Sequence, residues 1–136
     1  GFGKMRVTLI FCGDTGEKYF NDASLEYEKR ISAFAEIEIV KIRPESLDES
    51  KALPQSVIDK ALEVEAAKII SAIPKGSFKI AMCIEGKQLS SEELAEKIAS
   101  AEGQGIGELC FIIGSSFDFC SLKHSLDKFF SWNFKA

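Results

Sequence analysis

The residues best suited to chemistry stand where apolar runs stop. "ELCFIIG" reaches Gly114 and continues into Ser115 and Ser116, "FKIAMCIEG" ends at Gly86, and "MRVTLIFCG" ends at Gly13. A glycine at such a point lets a ligand approach the backbone with no Cβ in the way. It serves equally well as a plain strand terminator. Carboxylates flank two of these points, Glu85 before Gly86 and Asp14 after Gly13, and solvated loop charge is the simpler account of both. His124, the only histidine, lies in "SLKHSLDKF" between Leu122 and Leu126. Its ordinary pKa suits proton transfer, but no neighbour marks it as part of a catalytic set. "CGDTGEK" lacks the glycine–lysine–serine/threonine spacing of a phosphate loop.

Cys12, Cys83, Cys110 and Cys120 form no CxxC pair, and one histidine is too few to complete a zinc site, so no metal is expected. Three of the four lie in or beside apolar runs, where a free cysteine packs as a small hydrophobe. The net charge of −4 comes with scattered lysines and arginines. That argues against gripping nucleic acid by phosphate neutralisation alone, while leaving room for a local basic face. No apolar run reaches the length of a membrane span, and "GFGKM" has neither the basic nor the apolar region of a signal peptide. Met5 reads as the native start. A cytoplasmic protein of one domain over residues 1–136 is expected, large enough for a substantial core.

The elements that must position these residues follow from periodicity. "MRVTLIFCG" is rich in β-branched and aromatic residues and predicts a buried strand. A helical period follows, with Phe20, Ser24, Tyr27 and Ile31 on one face and Tyr19, Ala23 and Arg30 beside it. "AEIEIVKIR" alternates: Ile37, Ile39 and Val40 or Ile42 inward, Glu36, Glu38 and Lys41 outward. That predicts a half-polar strand near a sheet edge, closed by Pro44. "PESLDESKALPQS" reads as a loop. A long helix begins at Pro54, capped by Gln55 or Ser56, with Ile58, Leu62, Glu65 or Ala66, Ile69 and Ile73 as its stripe. Glu65 on that stripe suggests a buried ion pair with Arg30 or Lys29.

"PKGS" predicts a turn and "FKIAMCIEG" a third strand. "SSEELAEKIASAEGQG" carries a capping box, Ser90 as N-cap with Glu93 three positions on, and places Leu94, Ile98 and Ala101 toward the core. The strand ending at Gly114 comes next, then a short helix near Ser121 to Asp127 and a fifth, aromatic strand. Near-continuous apolar strands alternating with amphipathic helices predict an α/β fold, a mostly parallel sheet covered on both faces. In such sheets ligands sit at strand carboxyl ends, where strand order switches.

The order of "LEYEKRI", the long helix with Glu65, "IEGKQLSSEELAEKI" and then "FIIGSS" resembles the bacterial ribosomal RNA large-subunit methyltransferases. These methylate N3 of a pseudouridine in 23S rRNA and belong to the SPOUT superfamily with its α/β knot. The resemblance runs over Met5 to Ser116, and "GKQLSSEELA" is its most specific stretch. It implies S-adenosylmethionine as cofactor, a homodimer, and the assembled ribosome as substrate. Carried over by position, it implies cofactor contacts at Met82, at Gly114, at Ser115 where the family has a second glycine, and at Trp132 and Asn133. It implies no particular catalytic base.

Beyond Ser116 the chain departs from the family. Asp118 stands near the turn's last glycine, and "FFSWNFKA" stands where a strand and a histidine-bearing loop belong. The family's arginine-rich helix and terminal tyrosine–histidine pair have no match, and no arginine follows Arg43. These departures define a second reading, a catalytically inactive relative serving as a binding or dimerisation module, its knot incomplete. The aromatic residues Phe117, Phe119, Phe129, Phe130, Trp132 and Phe134 then read as core or interface packing before RNA stacking. A flavodoxin-like domain with a bound flavin is the third reading.

Overall fold

In this computed structural model the described residues are 5–12, 17–43, 52–83, 90–114 and 133–135. The expected helix near Ser121 to Asp127, His124, the glycines Gly13 and Gly86, and Ser115 and Trp132 lie outside them. The elements are β1 (Met5–Cys12), α1 (Glu17–Ile31), β2 (Ala35–Ile42), α2 (Gln55–Ala72), β3 (Phe78–Cys83), α3 (Ser91–Gly103), β4 (Glu108–Gly114) and β5 (Asn133–Lys135). The five strands form one sheet in the order β2-β1-β4-β3-β5, and every pairing is parallel.

Alternation along the strands sorts the core into two halves. Val7, Leu9 and Phe11 of β1, Leu109, Phe111 and Ile113 of β4, and Ile80 and Met82 of β3 meet Tyr27 and Ile31 of α1 and Leu94, Ile98 and Ala101 of α3. Ile10, Cys12, Ala81, Cys110 and Ile112 turn the other way, onto Ala66 and Ile69 of α2. Both faces are thus covered, which is why β1 from Leu9 and β4 from Leu109 are apolar without a break. The chain passes from β1 to β2 and from β3 to β4 in one direction over the α1/α3 face. It passes from β2 to β3 in the other direction over the α2 face. These crossovers therefore share one hand, as parallel connections do.

Strand β2 is an edge strand, as its half-polar pattern requires. Its inward residues divide between the faces: Ile37 and Ile39 pack with α1, Val40 and Ile42 with α2. Helix α3 starts as its capping box dictates, with the Ser90 hydroxyl accepting from Glu93 N–H at 3.0 Å, and the chain leaves it through Gly105 at φ +82°.

Helix α2 corrects two expectations. Its N-cap is Pro54, with no side-chain cap bond; Gln55 and Ser56 are already helical, and the Gln55 amide donates to Asp59 at 2.9 Å. Glu65 is buried as its stripe position demanded, but it lies on the α2 side of the sheet while Arg30 engages α3 on the opposite side. A five-stranded sheet separates the two, so no Glu65–Arg30 pair forms.

Burial pushes the Cys110 thiol up to about 12, with Lys79 opposing and Glu108 adding to the rise. The unfolded chain releases this proton near the ordinary value of 9.0. Above that point the folded state holds a proton that the unfolded state has lost. Stability is full below about pH 9 and falls as pH rises toward 12, by up to about 1.4 kcal/mol per unit for this group. Urea midpoints measured upward from neutral pH should show that decline, and Cys110→Ala should flatten it; an unchanged slope would assign the decline to other groups.

Candidate functional site at the carboxyl rim

The site is built from the ends of three neighbouring strands. Register aligns Phe11 of β1 with Ile113 of β4, and Ile113 with Met82 of β3. The same row reaches Lys41 on β2 and Lys135 on β5. One step further toward the carboxyl ends, Gly114 pairs with Cys83. Cys12 closes β1, and its thiol donates to the Ile113 carbonyl at 3.5 Å, tying β1 to β4 one residue before Gly114.

Strand order reverses at this point. The connection leaving β1 leads to β2 on one side, whereas the one leaving β4 leads to β5, beyond β3 on the other side. Since β1 and β4 are neighbours, their carboxyl ends border the switch, where open parallel sheets bind ligands. Gly114 is the terminal residue of β4 there, and it brings no side chain to the crevice. A ligand that must lie close to backbone fits this strand end.

The other expected contacts are less close. Met82 stands one register step before the rim, but its side chain is 3% exposed and packs into the core beside Ile113 and Phe11. Asn133 does not begin a loop; it opens β5, in register with Ile80, and β3 separates it from Gly114. Of the five residues carried over from the resemblance, the described structure brings Met82 and Gly114 onto adjacent strands and sets Asn133 one strand further out.

Two features of the surroundings escaped sequence reasoning. The first is the aromatic wall over β1: the Phe11 ring meets Phe20 edge-on at 5.2 Å and Tyr19 edge-on at 6.4 Å, and stacks on Tyr27 at 6.4 Å. Burial pushes both phenols up, Tyr27 further, with Tyr19, Glu93 and Glu26 adding to its rise. The second is a tether between α1 and α3. Arg30 Nε donates to Ser91 Oγ at 2.8 Å, Ser91 donates to Glu26 Oε1 at 3.0 Å, and Arg30 also lies 3.6 Å from Glu92. Ser91 is buried although it directly follows the cap. The i, i+4 pairing of Glu26 with Arg30 was a signal for it.

A groove of ≈ 460 Å³ opens at the other end of the sheet, lined by Arg6, Thr8, Glu36, Glu38, Pro74 and Glu108. It touches neither the switch point nor Gly114. Among the described residues, no three histidines, cysteines or carboxylates gather as a metal site, and no helix is long and apolar enough to cross a membrane.

A parallel α/β sheet with a bare glycine at its switch point defines a class of ligand-binding domain, and comparison narrows it. A family model described as "Predicted SPOUT methyltransferase" matches residues 5–128. The ribosomal RNA large subunit methyltransferase H of Streptococcus uberis is 38% identical over 112 residues, spanning 82% of this chain and 69% of that protein. The protein of the same name from Lactobacillus acidophilus is 36% identical over the same span. The chain belongs to the SPOUT methyltransferase family. That membership sets aside the flavodoxin-like reading.

The α1–α3 tether carries its own prediction. Ser91→Ala removes both bonds of a buried hydroxyl and should cost about 1–2 kcal/mol of stability in urea unfolding. Ser90→Ala should cost a similar amount, about 1 kcal/mol, through the lost cap.

Proposed function

We propose that the chain is an S-adenosylmethionine-dependent methyltransferase that modifies N3 of a pseudouridine in 23S rRNA of the assembled ribosome, acting as a cytoplasmic homodimer. Family membership supports methyl transfer, and the relatives' names support ribosomal RNA as the acceptor. The pseudouridine, the intact ribosome and the dimer come from the resemblance of "GKQLSSEELA" and "FIIGSS" to that family. The observation that carries the reading is Gly114, a side-chain-free strand end at the switch point of the sheet.

In this reading Gly114 offers its backbone to the cofactor at the end of β4 and Met82 backs the site from β3, while contacts at Ser115, Trp132 and Asn133 are what the family resemblance adds. The bound cofactor supplies a sulfonium methyl group that is already activated. What remains for the protein is to hold the acceptor nitrogen in line with that methyl and to let its proton leave. The described ends of β1, β4 and β3 carry thiols and glycine, so the group that takes the proton comes from outside them.

The test pairs two measurements. Calorimetric titration with S-adenosylmethionine should show micromolar binding to a dimer, and the chain should transfer labelled methyl to 70S ribosomes that lack the modification. Gly114→Val should abolish cofactor binding while circular dichroism and the urea midpoint show a folded protein. A folded dimer that binds no cofactor and methylates no ribosome would sink the proposal in favour of an inactive binding module.

A further inference from the structure

Charge reverses sign along β2. Its amino half exposes Glu36 and Glu38, with Glu36 3.6 Å from Arg6 on β1. Its carboxyl half carries Lys41, and exposed Arg43 follows directly. Register places Lys41 beside Phe11, in the row that crosses β4 at Ile113 one residue before Gly114. At roughly 4.8 Å per strand, the β2 backbone stands about 10 Å from β4. The Lys41 ammonium lies 5.0 Å from the centroid of the Phe20 ring, which itself packs against Phe11. Lys41 and Arg43 therefore stand together at the β2 side of the rim.

We infer that Lys41 and Arg43 form the surface that receives the RNA phosphates when a nucleotide enters the rim at Gly114. This rests on the reading of the chain as an RNA methyltransferase. Phosphate contacts position a nucleic acid and need no base-specific geometry, so short-range cations beside the reacting site suffice. The ring under Lys41 holds its charge in place. Lys41 and Arg43 also interact within the fold, so the patch is fixed. Glu36 and Glu38 stand about 17 and 10 Å back along β2 and, by strand alternation, on the other face of the sheet from Lys41. An overall charge of −4 is thereby reconciled with an RNA partner.

The test uses the full chain and 70S ribosomes lacking the methyl group. The double variant Lys41→Gln with Arg43→Gln should raise the KM for ribosomes about tenfold. Affinity for S-adenosylmethionine and kcat should stay near wild type, and the slope of log(kcat/KM) against log salt should drop by about one per lost contact. Lys41→Arg should restore most of the loss. Glu36→Gln with Glu38→Gln should leave the KM within about twofold. Unchanged KM and salt slope in the double variant would overturn the patch while leaving the activity in place. Wild-type chain that binds ribosomes in sedimentation without methylating them, with binding lost in the double variant, would uphold the patch and remove the proposed activity. Wild-type chain that does neither would overturn both.

Discussion

Strand β4 is hydrogen-bonded along both edges and covered on both faces, and the placement of the rim depends on it. Leu109 through Ile113 are each fully buried. In such surroundings a backbone amide or carbonyl finds no water, so each must pair with β1 or β3. Register is held by the side chains as well: a slip of one residue would send Phe111 and Ile113 to the α2 face and bring Cys110 and Ile112 under α1 and α3. Two differently shaped core halves exclude that exchange. Gly114 therefore stands at a fixed level beside Cys12 and Cys83, and the crevice at the switch point inherits the rigidity of the most buried strand.

The family's most specific string is also the best-fastened helix start in the described chain. "SSEELA" supplies a cap at Ser90 and, one residue on, the buried Ser91 hydroxyl that bridges Arg30 and Glu26 of "LEYEKRI". Two stretches far apart in sequence, both part of the resemblance, thus meet in one network. Its consequence is positional: β3 is locked into the sheet and α3 is locked onto α1.

Most of this architecture was legible because local and global signals agree. Unbroken apolar runs in β4 and the carboxyl half of β1 mean burial on both faces, the capping box marks the start of α3, and the glutamates of β2 mark an edge. What escaped notice depended on tertiary partners. Arg30 has carboxylates within reach on two helices, and nothing in its own segment says that α3 lies on its side of the sheet while Glu65 lies on the other. Val40 and Ile42 share a strand with Ile37 and Ile39, yet they point to the other face because α2 is there to receive them. At the site, Gly114 was readable as an apolar run ending in glycine, and the resemblance gave it meaning. The depth of Met82 was not readable, because a methionine one step before a strand end packs equally well into a core or against a ligand.

Net charge says little about the rim for a related reason: it is an average, and binding depends on where charges sit. β2 carries Glu36, Glu38 and Lys41, and Arg43 follows it; at roughly 3.3 Å per residue the two glutamates lie about 17 and 10 Å back from Lys41. Both distances are beyond the Debye length of about 8 Å at physiological ionic strength, so a phosphate at Lys41 feels these carboxylates only weakly. Lys41 and Arg43 are held at the end of β2, where the Phe20 ring of α1 seats Lys41. A parallel sheet makes such segregation easy, since all its strands point the same way and one end collects every strand terminus. The end that collects Gly114 is also the end that collects these cations, and an acidic chain can present a basic face there at no cost to its overall charge.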